Sequence, residues 1–273
     1  MRLLIPYIVW GILTWIVWFF IGRQYGNDSE PLPAWWYPLW GMVCGKGPMI
    51  MHNRPLWFLC CMISLEWIYY GISQFSSKWL RWLIIMCLAI IGSILSYRGE
   101  IWIWEISSAI IILPIYAFGA EIPSFWTGKA KNISLPISIL LLIISSVGIG
   151  LGYSFNKDVQ LSRSLIGNPC LYYLSVISVV GFWFAVSIII EKYLRRYSIL
   201  QYIGENTLFI LCTHMSTFGL IKGIAMICHI PLPFFETIAG CFVLWIGTFI
   251  ISLPFTFVIN RFFPLLVGKK PAF

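Results

Sequence analysis

Two ionisable side chains stand where a chain of this kind has little else that is hydrophilic. His214 lies about nine residues inside an apolar run that starts after Gly204-Glu205-Asn206, roughly 13 Å along a helix from its polar end. Glu66 lies inside the apolar run from Pro55 to Tyr70, about twelve residues after Arg54, which is roughly 18 Å of helix from the opposite end. In a hydrocarbon core about 30 Å thick these depths coincide to within a turn. Paired, the carboxylate would fix the imidazole tautomer and favour its protonated form, the arrangement used when His removes a proton from a hydroxyl. The competing reading makes each a polar rivet between helices. Glu105, near the outer end of its run, is expected to snorkel to the interface in a structural role. His52 and His229 fall in or beside outer connections and read as solvated or capping residues.

The elements that must carry these groups follow from composition. Of 273 residues, 60% are hydrophobic and only 10% charged, and the mean hydropathy is +0.87, outside the balance of a soluble domain. The expected fold is an all-α polytopic membrane bundle, because continuous rather than alternating hydrophobicity selects helices over a barrel. Breaks at charged and Gly/Pro clusters give about eight spans, near 3–22, 55–74, 80–97, 101–120, 134–152, 171–190, 206–228 and 238–260. The whole chain, 1–273, reads as a single membrane-embedded domain, since no connection is long enough to fold separately.

Counting Lys and Arg in alternate loops places both termini in the cytoplasm. One side holds Arg2, Lys78, Arg81, Lys129, Lys131, Lys192, Arg195, Arg196, Arg261, Lys269 and Lys270 in mostly short connections. The net charge of +8 is spread singly along helix ends rather than gathered into a stripe, which argues against nucleic acid and for contacts with lipid headgroups. The eight cysteines fall mostly inside spans as small apolar residues, and no Cys/His spacing suggests a metal. The first span shows no cleavage-type end, so no removed signal peptide is expected.

The longest connection, 23–54, carries aromatics and prolines with few charges, including Trp35, Trp36 and Trp40. It reads as an interfacial belt, with stacking on a sugar ring as the functional alternative. Trp79, Trp82, Trp102 and Trp104 read as belt residues at span ends. Gly148, Gly150 and Gly152 provide small residues for close helix approach. There is no internal repeat of the kind that inverted-repeat transporters show.

Four segments in order resemble the acyltransferase family 3 of integral membrane proteins, in its fucose 4-O-acetylase-like branch. They are Arg2-Leu3-Leu4-Ile5-Pro6-Tyr7 through Gly11; Pro55-Leu56-Trp57-Phe58-Leu59 followed by Glu66; Tyr202-Ile203-Gly204-Glu205-Asn206 through His214; and Arg261 through Lys269. Looser agreement occurs at Leu113–Gly119 and around Gly167-Asn168. The resemblance implies an enzyme with no bound cofactor. It would take an acyl group, typically acetyl from acetyl-CoA at the cytoplasmic side, and esterify a hydroxyl of a cell-surface carbohydrate or its lipid-linked precursor. It implies a bacterial inner-membrane location, His214 and Glu66 at the transfer site, Arg2 on a phosphate of the acyl-CoA, and Trp57 and Asn206 as substrate contacts. Family members have about ten helices and place two before the Arg2 segment, the first bearing an Arg and a His central to catalysis. Met1 directly precedes Arg2 here, so those helices are expected to be missing, through truncation, a misplaced start or descent to a non-catalytic partner. A small transporter with Glu66, His214 and Lys222 along a polar path is the remaining alternative.

Overall fold

The computed structural model describes residues 3–25, 34–121, 133–193 and 198–269. Among them ten α-helices form: α1 (Leu4–Phe20), α2 (Tyr37–Cys44), α3 (Trp57–Ser73), α4 (Lys78–Tyr97), α5 (Ile106–Glu121), α6 (Leu135–Phe155), α7 (Pro169–Tyr193), α8 (Ser198–Glu205), α9 (Thr207–Ile227) and α10 (Ile238–Phe262). Short 3₁₀ turns connect several of them, and no strand occurs among the described residues, so the all-α expectation is met. Seven helical segments are long and apolar enough to cross a membrane. They correspond to seven of the eight spans read from hydropathy. The eighth, α1, has 17 residues, roughly 25 Å of helix.

Helix starts follow local chemistry. Ser77 Oγ accepts from the Leu80 N–H at 3.3 Å and Thr237 Oγ1 from the Gly240 N–H at 3.1 Å, each satisfying an orphan donor of the first turn. Asn168 Oδ1 accepts from the N–H groups of Cys170 and Leu171 at 3.0 and 3.2 Å. Pro169, which has no N–H to orphan, opens α7 behind that cap. The helices are apolar on their outer faces as well. Ile144, Trp183, Ile250 and Phe257 are each more than half exposed, which is favourable only where hydrocarbon replaces water.

Contacts divide the chain into two compact units, a terminal unit of residues 1–63 and 200–273 and a middle unit of 64–199. In the middle unit α6 packs on α7 through glycine. A Cβ at Gly148 would overlap Ser178 and one at Gly152 would overlap Ser175, whereas Gly150 has open space around it. Two of the three glycines therefore serve the close approach read from the sequence. The 156–168 connection folds around Asn156, whose Nδ2 donates to the Ile166 carbonyl at 2.9 Å and whose Oδ1 accepts from the Asn168 N–H at 2.9 Å. Gly167 sits between them at φ +60°, a conformation glycine adopts without steric cost.

Glu105 does not snorkel. It is fully buried and accepts from Ser108 Oγ at 2.8 Å. Left-handed backbone at Trp104 and Glu105 (φ 53° and 52°) turns the carboxylate inward. Ser108 and Ser107 in turn lie 2.9 and 2.7 Å from Ser164 Oγ. At the other end of the unit Glu121 takes a 3.1 Å ion pair from Lys78 and a 3.2 Å hydrogen bond from Trp82 Nε1.

The terminal unit is built on α1. Tyr7 donates its hydroxyl to the Met42 carbonyl at 2.7 Å, and Trp10 Nε1 donates to the Leu266 carbonyl at 2.9 Å. A Cβ at Gly11 would overlap the end of the Met42 side chain, which fills the space this glycine leaves beside α1. Ala225 of α9, Leu244 of α10 and Phe235 between them form a small core supported by Phe218 and Ile221.

Replacing Gly152 by Val forces α6 and α7 apart and should destabilise the protein by about 1–3 kcal/mol, the range of overpacked interfaces. Thermal unfolding in detergent should show a lowered Tm for Gly152→Val and no loss for Gly150→Val. Equal loss in both would remove the close contact as the reason for the glycine.

Candidate functional site

His214 lies on α9 and is half-buried. Its Nδ1 is 2.9 Å from the Leu211 carbonyl and 3.2 Å from that of Ile210. A carbonyl oxygen only accepts, so these bonds require the proton on Nδ1, and in the neutral ring the lone pair is then on Nε2. Phe218, one turn on, meets the ring edge to face at 5.6 Å. The tautomer is thus held by the histidine's own helix, a role the sequence reading gave to Glu66. The arrangement leaves an imidazole nitrogen free to accept a proton from a hydroxyl.

Glu66 belongs to the middle unit, and its side chain is exposed rather than enclosed. Around it Tyr69 and Tyr116 meet edge to face at 5.3 Å, and the carboxylate is within electrostatic range of Tyr116. The helical repeat of α3 accounts for this: Glu66, Trp67 and Tyr70 are all exposed, while Leu65 and Ser64 are buried. An apolar run tells that a helix is in the membrane; which face it turns inward depends on its neighbours.

Asn206 is 2% exposed and serves as a polar hub between α8 and α9. Its Oδ1 accepts from Asn260 Nδ2 and from Lys269 Nζ, each at 2.7 Å, and its Nδ2 donates to the Tyr202 carbonyl at 2.7 Å. These contacts tie the start of α9 to the end of α10 and to the segment after it. Trp57 is half-buried at the start of α3, with the neighbouring Phe58 ring 6.0 Å away in a T-shaped contact. Arg2, expected at a phosphate of the donor, lies outside the described residues, as do Lys129, Lys131, Arg195, Arg196 and Lys270. Among the described residues no group of three His, Cys, Asp or Glu is placed to hold a metal ion, and the cysteines are free thiols.

The sequence reading missed the residues at the centre of the terminal unit. His52, expected from the sequence to be a solvated or capping residue, is buried, and its Nε2 lies 3.1 Å from the Gly11 carbonyl. Asn53 is fully buried; its Nδ2 donates to the Cys212 carbonyl at 2.7 Å and to Thr14 Oγ1 at 3.4 Å. Gly11 and Thr14 sit about 10 and 15 Å along α1 from its start, so residues 52 and 53 lie against the middle of α1. The low charge of the stretch leading into α3 and its Gly41, Gly45, Gly47 and Pro48 were the available signal. Small residues permit the tight path: a Cβ at Gly41 would meet the Met49 backbone, and Gly45 ends α2 in the left-handed conformation.

An acyltransferase domain profile, that of acyltransferase 3, matches residues 1–261 of the chain. Neither the curated proteins nor the solved structures compared with the chain contain a match.

Removing the Asn206 side chain strips three part-buried bonds, one of them to a lysine. Hydrogen bonds to charged groups contribute about 1.5–3 kcal/mol, so Asn206→Ala should lower stability by about 2 kcal/mol, seen as a reduced Tm in detergent. An unchanged Tm would show that the hub is idle.

Proposed function

Because the chain belongs to the acyltransferase 3 family, we propose that it moves an acyl group, acetyl in the first instance, from acyl-CoA to a hydroxyl of a cell-surface or lipid-linked carbohydrate. The observation that carries this reading is the family match across residues 1–261, on a helical membrane fold. His214 is the proposed base. A sugar hydroxyl is a poor nucleophile until its proton is being taken, and the bonds from Nδ1 to the Leu211 and Ile210 carbonyls favour the tautomer with Nε2 bare. The hydroxyl oxygen attacks the thioester carbonyl, its proton passes to Nε2, and the C–S bond breaks. The departing thiolate then recovers the proton from the imidazolium as free CoA. No redox partner or metal is needed for this balance.

Arg2 is the proposed contact for a phosphate of the donor, since a guanidinium presents paired donors to phosphate oxygens. Asn206 and Trp57 enter the reading differently. The bonds of Asn206 to Asn260 and Lys269 make it a positioning residue for α9, and Trp57 remains a proposed substrate contact at the start of α3.

The test is release of CoA from acetyl-CoA by the full chain in lipid nanodiscs, with mono- and oligosaccharide acceptors. A positioned base contributes roughly 10²–10⁴-fold, so His214→Ala should lower kcat by that order while Arg2→Ala raises KM for acetyl-CoA with kcat little changed. Turnover unaffected by His214→Ala would remove it from the mechanism. Absence of CoA release with every acceptor would end the acyl-transfer reading for this chain.

A further inference from the structure

Among the buried side-chain polar atoms of the terminal unit that have no hydrogen-bond partner among the described residues, His52 Nδ1 and Asn53 Oδ1 stand on consecutive residues. The Gly11 carbonyl facing His52 Nε2 at 3.1 Å can only accept, so in the neutral ring the proton is on Nε2 and Nδ1 is bare. The Cys212 carbonyl fixes Asn53 in the same way: Nδ2 must face it at 2.7 Å, which leaves Oδ1 as the free end of the amide. Both His52 Nδ1 and Asn53 Oδ1 are buried and have no partner among the described residues. Buried acceptors in native structures are nearly always paired, so an orphaned couple on consecutive residues needs an explanation.

The two side chains are anchored to one turn of α1. Gly11 O and Thr14 Oγ1 are 3.3 Å apart and bind His52 and Asn53 respectively. Asn53 also reaches α9 at Cys212, while His214 holds the carbonyls of Ile210 and Leu211. Asn53 and the candidate base therefore engage the same turn of α9, and His52, next to Asn53, is held against α1. What these two acceptors lack is two neutral donors. A cation is disfavoured, because the buried partners of His52 and Asn53 include no carboxylate to balance it.

We propose that His52 and Asn53 form a binding subsite for a polyol. Hydroxyls on neighbouring carbons would donate to His52 Nδ1 and Asn53 Oδ1 and so present the acceptor sugar at the turn of α9 that carries His214. The proposal rests on the acyl-transfer reading for its purpose, and its binding arm can be tested without turnover.

The chain has three histidines, so ¹⁵N-histidine labelling of the full chain in nanodiscs resolves them, with the His52 signals assigned by their loss in His52→Gln. Titration with a methyl glycoside bearing vicinal hydroxyls should shift the His52 Nδ1 resonance saturably, and the fully O-methylated glycoside should not. In turnover, Asn53→Leu and His52→Leu should raise KM for the glycoside at least tenfold and leave KM for acetyl-CoA unchanged. His52→Gln, which keeps a donor for Gly11, guards against misfolding and should show a smaller rise. A resonance indifferent to the glycoside would overturn the subsite and leave a buried water as the occupant. So would an unchanged glycoside KM in Asn53→Leu. If the chain releases no CoA at all, the acyl-transfer reading fails while the titration still decides whether the sugar binds.

Discussion

Hydrocarbon offers no hydrogen-bond partner, and that single constraint shapes the terminal unit. A polar side chain placed at mid-depth must find its donor or acceptor inside the protein or remain unpaired at a cost of several kcal/mol. Helices already bond their backbones internally, but a carbonyl has a second lone pair. The terminal unit uses that spare capacity repeatedly. Tyr7 takes the Met42 carbonyl, Trp10 that of Leu266, His52 that of Gly11 and Asn53 that of Cys212. Each of these bonds links segments distant in sequence, and those at Met42, His52 and Asn53 pin residues 42–53 to α1 and α9. The same device applied locally, His214 to Leu211 and Ile210, fixes which ring nitrogen is free for chemistry.

The middle unit answers the constraint with small hydroxyl residues and glycine. Ser107, Ser108 and Ser164 gather around the buried Glu105, and Asn156 organises the 156–168 connection. Positive φ at Trp104, Glu105 and Ser164 is unfavourable for residues with side chains. It persists because the polar cluster determines these positions several times over.

What could be read before the fold was known follows from the same physics. A continuous apolar run must be a helix in lipid, so spans such as 207–227 and 238–262 lie within a few residues of where hydropathy placed them. Depth along a helix was legible too, which is why His214 stood out. Facing was not: the rise per residue gives how deep Glu66 sits, but only packing decides that it is exposed and Glu105 buried. The 34–56 stretch was the harder case, because hydropathy marks where polar sequence leaves the membrane, and this stretch carries little charge yet is broken into short helical pieces rather than one continuous helix. His52 and Asn53 were hidden in it. Asn206 was singled out from its motif, but its hydrogen bonds, which join α9 to the end of α10, depend on packing that the motif does not show.

The account stands on the stretch before α3 being folded into the bundle with its polar side chains on the carbonyls of α1 and α9. The most direct measurement is an experimental density map of the full chain in a lipid nanodisc. It should place the Asn53 amide within hydrogen-bonding distance of the Cys212 carbonyl and His52 against Gly11, at the depth of the middle of α1. Density showing residues 45–56 at the membrane surface, with His52 in water, would contradict it.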